Sequence, residues 1–317
     1  MRIAVVGTVV ADTIEQPDGS LATSLGGIAH TLNALACLAS DQPAIEPFCR
    51  VGEDLWPRLE RFVHALPGVT LARMLRDPSP NPTVQLSYPS GGAPGERTER
   101  LMNPLPRLTA GDVAGVEGAD LTLVNCITGD DLDLAALRRV RRGCSRVYLD
   151  VHSLALGQAD DGRRSYRPRS DWQQWFACAD VVQCNLVEGA TILGRDPSTA
   201  EPDVTAVGLS ELVGEVGSAD SGPELIALTM GEKGALALYR SDGQTCRDHL
   251  PAPEVDGVDP TGAGDAFGAA CALAYLAGAR PHEAVLAGVR AGSAACCYSG
   301  VPNPKSFAAT VRRLGGQ

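Results

Sequence analysis

Short hydrophobic runs alternate along most of the chain with longer segments in which apolar residues recur at helical spacing. The runs are rich in Val, Ile and Leu, which is typical of strands buried on both faces of a parallel sheet. We predict strands at residues 3–7, 48–51, 121–126, 147–151, 181–184, 225–229 and 235–239. We predict helices at residues 29–39, 54–65, 132–142, 171–178, 185–194, 265–279 and 283–298, with a further helix inside 197–222. This order predicts an α/β fold with helices on both faces of a mostly parallel sheet.

Residues 69–106 interrupt this rhythm. Prolines at positions 78, 80 and 82 and glycines at 91, 92 and 95 indicate turns. The flanking runs 83–88 and 97–102 alternate loosely between apolar and polar residues, which favours a β-hairpin. We therefore expect a small β flap attached to the main sheet. Residues 41–47, which contain two prolines, are predicted to be a turn region.

Composition narrows the class of protein. The chain has 317 residues, of which 44% are hydrophobic, so it can bury a large core as one α/β domain or as two smaller domains. Its formal net charge of −11 makes nucleic acid or an anionic membrane surface a poor partner. The ten cysteines include no C-x-x-C pair, so we expect free thiols in a reducing compartment and a cytoplasmic protein. No apolar run reaches the roughly 18 residues that a membrane-spanning helix needs.

Candidate chemistry is concentrated at residues 259–267, Asp-Pro-Thr-Gly-Ala-Gly-Asp-Ala-Phe, where a glycine-rich turn leads directly into a predicted helix. The first N–H groups of a helix have no intrahelical partner and carry the positive end of its dipole. Because Gly262 and Gly264 lack a β carbon, an anion can approach this backbone closely. A carboxylate at Asp265 beside a phosphate would suit the acceptance of a proton from an attacking hydroxyl. Taken alone, Asp265 would more simply be a helix-start residue that complements the dipole, and the Gly-Ala-Gly-Asp context is what favours the proton acceptor.

Other glycine motifs are excluded by spacing. The sequence Gly-x-Gly-x-x-Gly fails after Gly262 and Gly264 because residue 267 is Phe. The chain has no Gly-Lys dipeptide, hence no P-loop, and no Gly-x-Ser-x-Gly nucleophile elbow. The anion site is therefore expected to work without a dedicated lysine.

The chain resembles the ribokinase-like (PfkB) carbohydrate kinases. The segment 259–267 is similar to the C-terminal signature of that family, and Gly26-Gly27 before a helix is similar to its N-terminal diglycine. Val-Gly-Glu-Asp at 51–54, Asn-Leu-Val-Glu at 185–188 and Thr-Met-Gly-Glu-Lys-Gly at 229–234 resemble further family motifs in the same order. The resemblance covers nearly the whole chain.

The resemblance implies an ATP-dependent kinase that phosphorylates a hydroxyl of a small sugar. It implies a ribokinase-like three-layer sandwich formed by one domain, residues 1–317, with a small β lid contributed mainly by about 9–24 and 80–105. A homodimer through the lid is a further expectation. Asp265 would be the general base, and the amides of Gly262, Ala263 and Gly264 would form the anion hole.

The resemblance also implies binding residues. Asn185 and Glu188 would position Mg²⁺ and phosphates through water, while Thr229, Gly231 and Gly234 would contact ATP. Asp12, Gly26, Gly27 and Thr31 would bind the substrate, and Asp259 would contribute to a K⁺ site. The spacing of Asn185 and Glu188 also fits a helix cap with its capping-box partner.

Two departures from the family pattern leave the acceptor open. Thr31 stands where the family usually has Asn, and Asp-Val-His-Ser at 150–153 replaces an Asp-x-Asn-x-Arg element. A nucleoside kinase is therefore the alternative to a sugar kinase. A non-catalytic sensor of sugar or nucleotide is a third hypothesis.

Overall fold

Strands and helices alternate along the chain in the computed structural model, which describes residues 1–15, 20–40, 42–87, 98–214, 222–257 and 259–316. The strands are β1 (Arg2–Val6), β2 (Val9–Glu15), β3 (Leu21–Gly27), β4 (Ala44–Gly52), β5 (Met74–Asp77), β6 (Thr83–Ser87), β7 (Thr98–Met102), β8 (Leu121–Asn125), β9 (Val147–Asp150), β10 (Leu156–Gln158), β11 (Arg164–Tyr166), β12 (Val181–Asn185), β13 (Leu225–Thr229), β14 (Ala235–Ser241) and β15 (Gln244–Leu250). The helices are α1 (Ile28–Leu38), α2 (Trp56–His64), α3 (Leu134–Gly143), α4 (Trp172–Phe176), α5 (Leu186–Ile192), α6 (Pro202–Ser210), α7 (Ala263–Leu276), α8 (Pro281–Ala295) and α9 (Pro304–Gly315).

The main sheet has the strand order β15-β14-β13-β12-β9-β8-β1-β4-β5. The strands from β13 to β5 in this order are parallel, whereas β14 and β15 are antiparallel additions at one edge. Because parallel strands share one direction, the carboxyl ends of β1, β8, β9, β12 and β13 lie along a single edge. This is the edge at which open α/β sheets bind ligands.

Alternate residues of each parallel strand enter two different cores. In β1, Ile3 and Val5 join a core with α1, α2, α7, α8 and α9, whereas Ala4 and Val6 join a core with α3, α4, α5 and α6. Burial of both faces explains why these strands are continuous hydrophobic runs in the sequence. The result is a three-layer sandwich, and the predicted fold class is confirmed.

A second, smaller sheet has the strand order β3-β2-β6-β7. Strands β2 and β3 form one antiparallel hairpin, β6 and β7 form another, and β2 pairs in parallel with β6. We call this sheet the lid. The hairpin expected between residues 80 and 105 is present, although its tip, residues 88–97, lies outside the described residues.

Several boundaries differ from the sequence-based prediction. Residues 41–47 were expected to form a turn, but β4 begins at Ala44 and Pro47 pairs with Val5 inside the sheet. Gly26 and Gly27 end strand β3, and the helix begins at Ile28. The pattern also missed β5, the mostly polar edge strand β15, and the helix α9. None of the helices in the described ranges is long and apolar enough to cross a membrane.

Candidate active site

The N-terminus of α7 lies at the carboxyl edge of the sheet and is shaped by glycine. Gly262 caps the helix in the left-handed conformation with φ of 77°, and Ala263 is the first helical residue. The Ala263 N–H donates to the Pro260 carbonyl at 3.1 Å. The amides of Gly264 and Asp265 belong to the first turn, which an α-helix leaves without intrahelical acceptors. Of the predicted anion hole, Ala263 is thus already engaged, and Gly264 and Asp265 are the stronger donors to an anion.

Asp265 is held by two side chains from other elements. Thr31 on α1 donates its hydroxyl to Asp265 Oδ1 at 2.7 Å, and Asn125 at the end of β8 donates from Nδ2 to the same oxygen at 2.8 Å. The sequence predicted Thr31 as a substrate residue and did not single out Asn125. A polar residue that ends a buried parallel strand was the signal, because that strand end faces the ligand crevice.

The diglycine explains the position of Asp12. The Asp12 carboxylate lies directly over Gly26, where a β carbon would come within 1.9 Å of Asp12 Oδ2. Gly27 has φ of 61°, and a β carbon there would lie 2.2 Å from the Thr8 carbonyl oxygen. These two glycines allow the first lid hairpin to fold against the start of α1, and α1 carries Thr31.

Asn185 and Glu188 form the capping box of α5. Asn185 Oδ1 accepts from the Glu188 N–H at 2.9 Å, and the Asn185 N–H donates to Glu188 Oε2 at 2.8 Å. Asn185 Nδ2 also donates to Glu188 Oε1 at 2.7 Å. The helix-cap alternative that the spacing allowed is therefore present, and it leaves Glu188 buried at the strand ends.

Asp150 at this edge experiences the charges of two neighbouring carboxylates. Burial raises the pKa of Glu188 to about 8. Burial, followed by repulsion from Glu188 and Asp265, raises the pKa of Asp150 well above its ordinary value. Such a cluster favours either protons or a bound cation.

The segment 229–234 provides a tight turn after β13. Thr229 pairs with Asn185 across β12 and β13, so the two residues end adjacent strands. The Met230 N–H donates to the Gly234 carbonyl at 2.8 Å and closes the turn. Gly231 has φ of 59° and open space around its α carbon, whereas a β carbon at Gly234 would lie 2.0 Å from the Leu250 carbonyl oxygen. The backbone at Gly231 is therefore open to a ligand, whereas glycine is required at position 234 by its close packing against Leu250.

Asp259 closes the loop before α7. Its Oδ1 accepts from the Thr261 N–H at 2.9 Å, and its Oδ2 accepts from the Gly300 N–H at 3.4 Å. Both carboxylate oxygens thus face backbone donors. The K⁺ site at Asp259 stays a prediction.

Two further residues that the sequence did not reveal support the start of α7. The buried ring of His30 lies against Gly262. Gln183 in β12 donates from Nε2 to the Gly264 carbonyl at 3.0 Å and accepts from the Tyr148 hydroxyl at 2.8 Å. A glutamine inside an otherwise apolar strand was the available signal. These contacts fix the anion site relative to the sheet.

The fold and the site define a phosphotransferase with an alcohol group as acceptor. A family model described as "pfkB family carbohydrate kinase" matches residues 155–307. The chain is similar to a fructokinase of Klebsiella pneumoniae, with 30% identity over 295 residues that cover 89% of this chain and 85% of the fructokinase. The chain belongs to the pfkB family of carbohydrate kinases, and the predicted family and enzyme class are confirmed.

Solved structures agree on the fold. A pyrophosphate-dependent kinase in the ribokinase family superposes with a TM-score of 0.77 at 16% identity, covering 96% of this chain and 99% of that chain. Arabidopsis thaliana ribokinase, complexed with ribose and ATP, gives a TM-score of 0.69 at 20% identity and covers 98% of both chains. These two structures have the same three-layer architecture.

Proposed function

We propose that this kinase transfers the γ-phosphoryl group of ATP to a hydroxyl of a small sugar, with Asp265 as the general base. The observation that carries the proposal is the position of Asp265 in the first turn of α7, where helix amides converge. Among the described residues, the two side-chain donors to Asp265 both reach Oδ1. Oδ2 is then the oxygen that receives the proton of the acceptor hydroxyl.

The acceptor lies between the lid and the start of α7. Asp12 accepts hydrogen bonds from sugar hydroxyls, and the backbone at Gly26 and Gly27 allows the ring to approach. The reacting hydroxyl donates to Asp265 Oδ2 and attacks the phosphorus atom. The N–H groups at the start of α7 stabilise the negative charge on the transferring group, since they are already oriented before the reaction.

The donor lies along the carboxyl edge of the sheet, where Thr229, Gly231 and Gly234 form a turn beside Asn185. The carboxylates of Asp150 and Glu188 fit Mg²⁺, because burial raises the pKa of both groups, Glu188 adds repulsion at Asp150, and a divalent cation would stabilise their ionised forms. When bound, Mg²⁺ neutralises charge on the phosphates. Asn185 and Glu188 would hold it through water, since their own side chains are engaged in the capping box.

The proposed acceptor substrate is a sugar, and a nucleoside is the alternative acceptor. A homodimer through the lid stays a prediction. Leu21 and Met102 on lid strands are large apolar side chains that are 67% and 40% exposed, which supports pairing of two lids.

The test is the substitution Asp265→Asn. We expect turnover to fall by about 10³-fold or more, because the general base is lost while the shape of the site is kept. The affinity for ATP, measured by calorimetry, should stay within a factor of about three, since ATP is not held by this carboxylate. The matched control is Asp133→Asn, which alters another helix-start carboxylate, the N-cap of α3, and should leave turnover unchanged.

Near-normal turnover in Asp265→Asn would contradict the assigned role. The acceptor is tested by measuring ADP release with a panel of pentoses, hexoses and nucleosides. A preference for nucleosides would replace the sugar assignment. Turnover with inorganic pyrophosphate and none with ATP would overturn the proposed donor.

A further inference from the structure

Asn125 connects the central sheet to the carboxylate at the start of α7. It is the last residue of β8 and is only 4% exposed. Its Nδ2 lies 2.8 Å from Asp265 Oδ1 and 3.3 Å from Thr31 Oγ1. Three elements that are distant in sequence therefore meet through one amide group.

We propose that Asn125 is a positioning residue for catalysis, which together with Thr31 clamps Asp265 Oδ1 so that Oδ2 faces the acceptor hydroxyl. The inference rests on the proposed role of Asp265 as general base. A carboxylate with two donors on one oxygen has lost its rotational freedom, and the second oxygen has a fixed direction. Misplacement of a reacting group by about 1 Å can cost about 10²-fold in rate.

The backbone of Asn125 is well fixed. Asn125 pairs with Asp150 between the parallel strands β8 and β9. At the end of β1, a β carbon on Gly7 would lie 2.5 Å from the Asn125 carbonyl oxygen, so only glycine permits this close approach. A side chain on such a rigid strand end orients its partner more accurately than one on a loop.

The direction of these hydrogen bonds assigns a different role to Thr31. A threonine hydroxyl has one proton, and here it is directed at Asp265 Oδ1. That proton is not available to the sugar at the same time. Thr31 therefore acts through Asp265, and its remaining lone pairs accept from Asn125 or from the acceptor.

The oxygen of the Asn125 side-chain amide favours a functional role for this residue over a purely stabilising one. Within the described chain, Asn125 Oδ1 is buried without a hydrogen-bond partner. A buried oxygen without a partner carries an uncompensated desolvation penalty. Native structures contain few such atoms, and a catalytic role is one of the explanations for them. An apolar residue at position 125 would avoid the cost but would not hold Asp265.

The experiment is a double-mutant cycle between positions 125 and 265. In the otherwise normal enzyme, Asn125→Ala should lower kcat by about 10- to 100-fold while KM for ATP changes less than about threefold. In the Asp265→Asn background, the same substitution should lower kcat by less than about threefold, because the group that it positions is already lost. Full additivity of the two losses would show a purely structural role and would overturn the inference.

A near-isosteric variant guards against misfolding. Asn125→Asp keeps the shape of the side chain but loses the amide donor, so it should lose at least as much kcat as Asn125→Ala. The control Thr122→Val alters a buried polar residue on the same strand that does not contact Asp265, and it should keep normal kcat. If Asn125→Asp folds to a thermal midpoint similar to that of the control and keeps normal kcat, the inference is wrong.

Substitutions at Thr31 provide a second test of the proposal. Thr31→Ser keeps the hydroxyl and should retain most of kcat, whereas Thr31→Val should lower kcat. An increase of the acceptor KM in Thr31→Val with unchanged kcat would show that Thr31 serves the acceptor alone, and would overturn the clamp. Failure of Asp265→Asn itself to lose turnover would contradict the proposed function, which is a result distinct from additivity in the cycle.

Discussion

Gly262 makes the turn into α7 possible for two separate reasons. Its φ of 77° lies in the left-handed region that residues with a β carbon avoid. A β carbon would also lie 2.5 Å from His30 Nδ1, and the His30 ring is buried between α1 and α7. The same position thus sets the direction of the helix amides and the packing of α1 against them.

We therefore predict that Gly262→Ala destabilises the protein by more than its backbone conformation alone would. The control is Gly278→Ala, at φ of 85° with open space around it, which should cost about 1–2 kcal/mol of unfolding free energy. Gly262→Ala should lower the unfolding free energy by a further ~1–3 kcal/mol, because the added methyl group overpacks against His30. Urea unfolding measures both values, and equal losses would show that the His30 contact relaxes freely.

At the scale of elements, a buried arginine joins the lid to the central sheet. Arg164 on β11 has a side chain that is 2% exposed, and it pairs with Glu99 on β7 at 2.7 Å. It also donates to the carbonyl oxygens of Ile127 at 3.2 Å and Thr128 at 3.0 Å, just beyond β8. One guanidinium therefore connects the lid, the hairpin of β10 and β11, and the carboxyl edge of the sheet.

We predict that Arg164→Met lowers the unfolding free energy by about 3–5 kcal/mol, because it breaks the buried ion pair with Glu99 and removes the donors to two backbone carbonyl groups. It should also raise KM for the acceptor, since the lid loses its connection to the strand ends. The neighbouring Arg163→Ala, whose side chain is 66% exposed, should cost no more than about 1 kcal/mol. Denaturant unfolding and acceptor kinetics separate the two variants; identical behaviour would refute the anchoring role.

At the scale of the whole molecule, the pH dependence of stability reflects buried acids. Asp131 follows β8 in the chain, is buried, and accepts hydrogen bonds from the N–H groups of Thr128 and Gly129 at 2.9 and 3.1 Å. Burial raises its pKa above the ordinary 3.8, against the opposing effects of Thr8, Thr128 and Arg164. The folded protein therefore holds this proton to a higher pH than the unfolded chain does.

We predict that wild-type protein loses stability relative to Asp131→Asn as the pH rises from about 4 through the raised pKa. Below the ordinary pKa both states are protonated, so the favourable contribution is fully present there and disappears at higher pH. Unfolding free energies measured from pH 4 to pH 8 should diverge between wild type and Asp131→Asn. The control is the exposed neighbour Asp130. The unfolding free energy of Asp130→Asn should change with pH in the same way as that of wild type. The same pH dependence in Asp131→Asn would disprove the prediction.

Local patterns predicted much of this architecture. The parallel strands were visible because both of their faces are buried, so their apolar runs are uninterrupted. The start of α7 was visible because Gly262, Gly264 and Asp265 are consecutive in the chain. Strand β15 was not predicted because its residues, at an exposed edge of the sheet, are mostly polar and give no apolar pattern.

The partners of Asp265 could not be found in this way. Thr31, Asn125 and Asp265 are separated by 94 and 140 residues along the chain, and only the packing of α1, β8 and α7 brings them together. The capping box at Asn185 and Glu188 shows the same limit, because spacing alone allowed both a helix cap and a ligand site.

The sequence by itself determined most of the order of elements, the family and the glycine turn that directs backbone donors at an anion, since the patterns that reveal them lie within a few residues of one another. The tertiary structure decided which oxygen of Asp265 is held, how close Asp12 lies to Gly26, and which carboxylates repel one another. Those properties depend on distances between separate elements, and distances of this kind are set by the packing of helices on the sheet rather than by any local pattern.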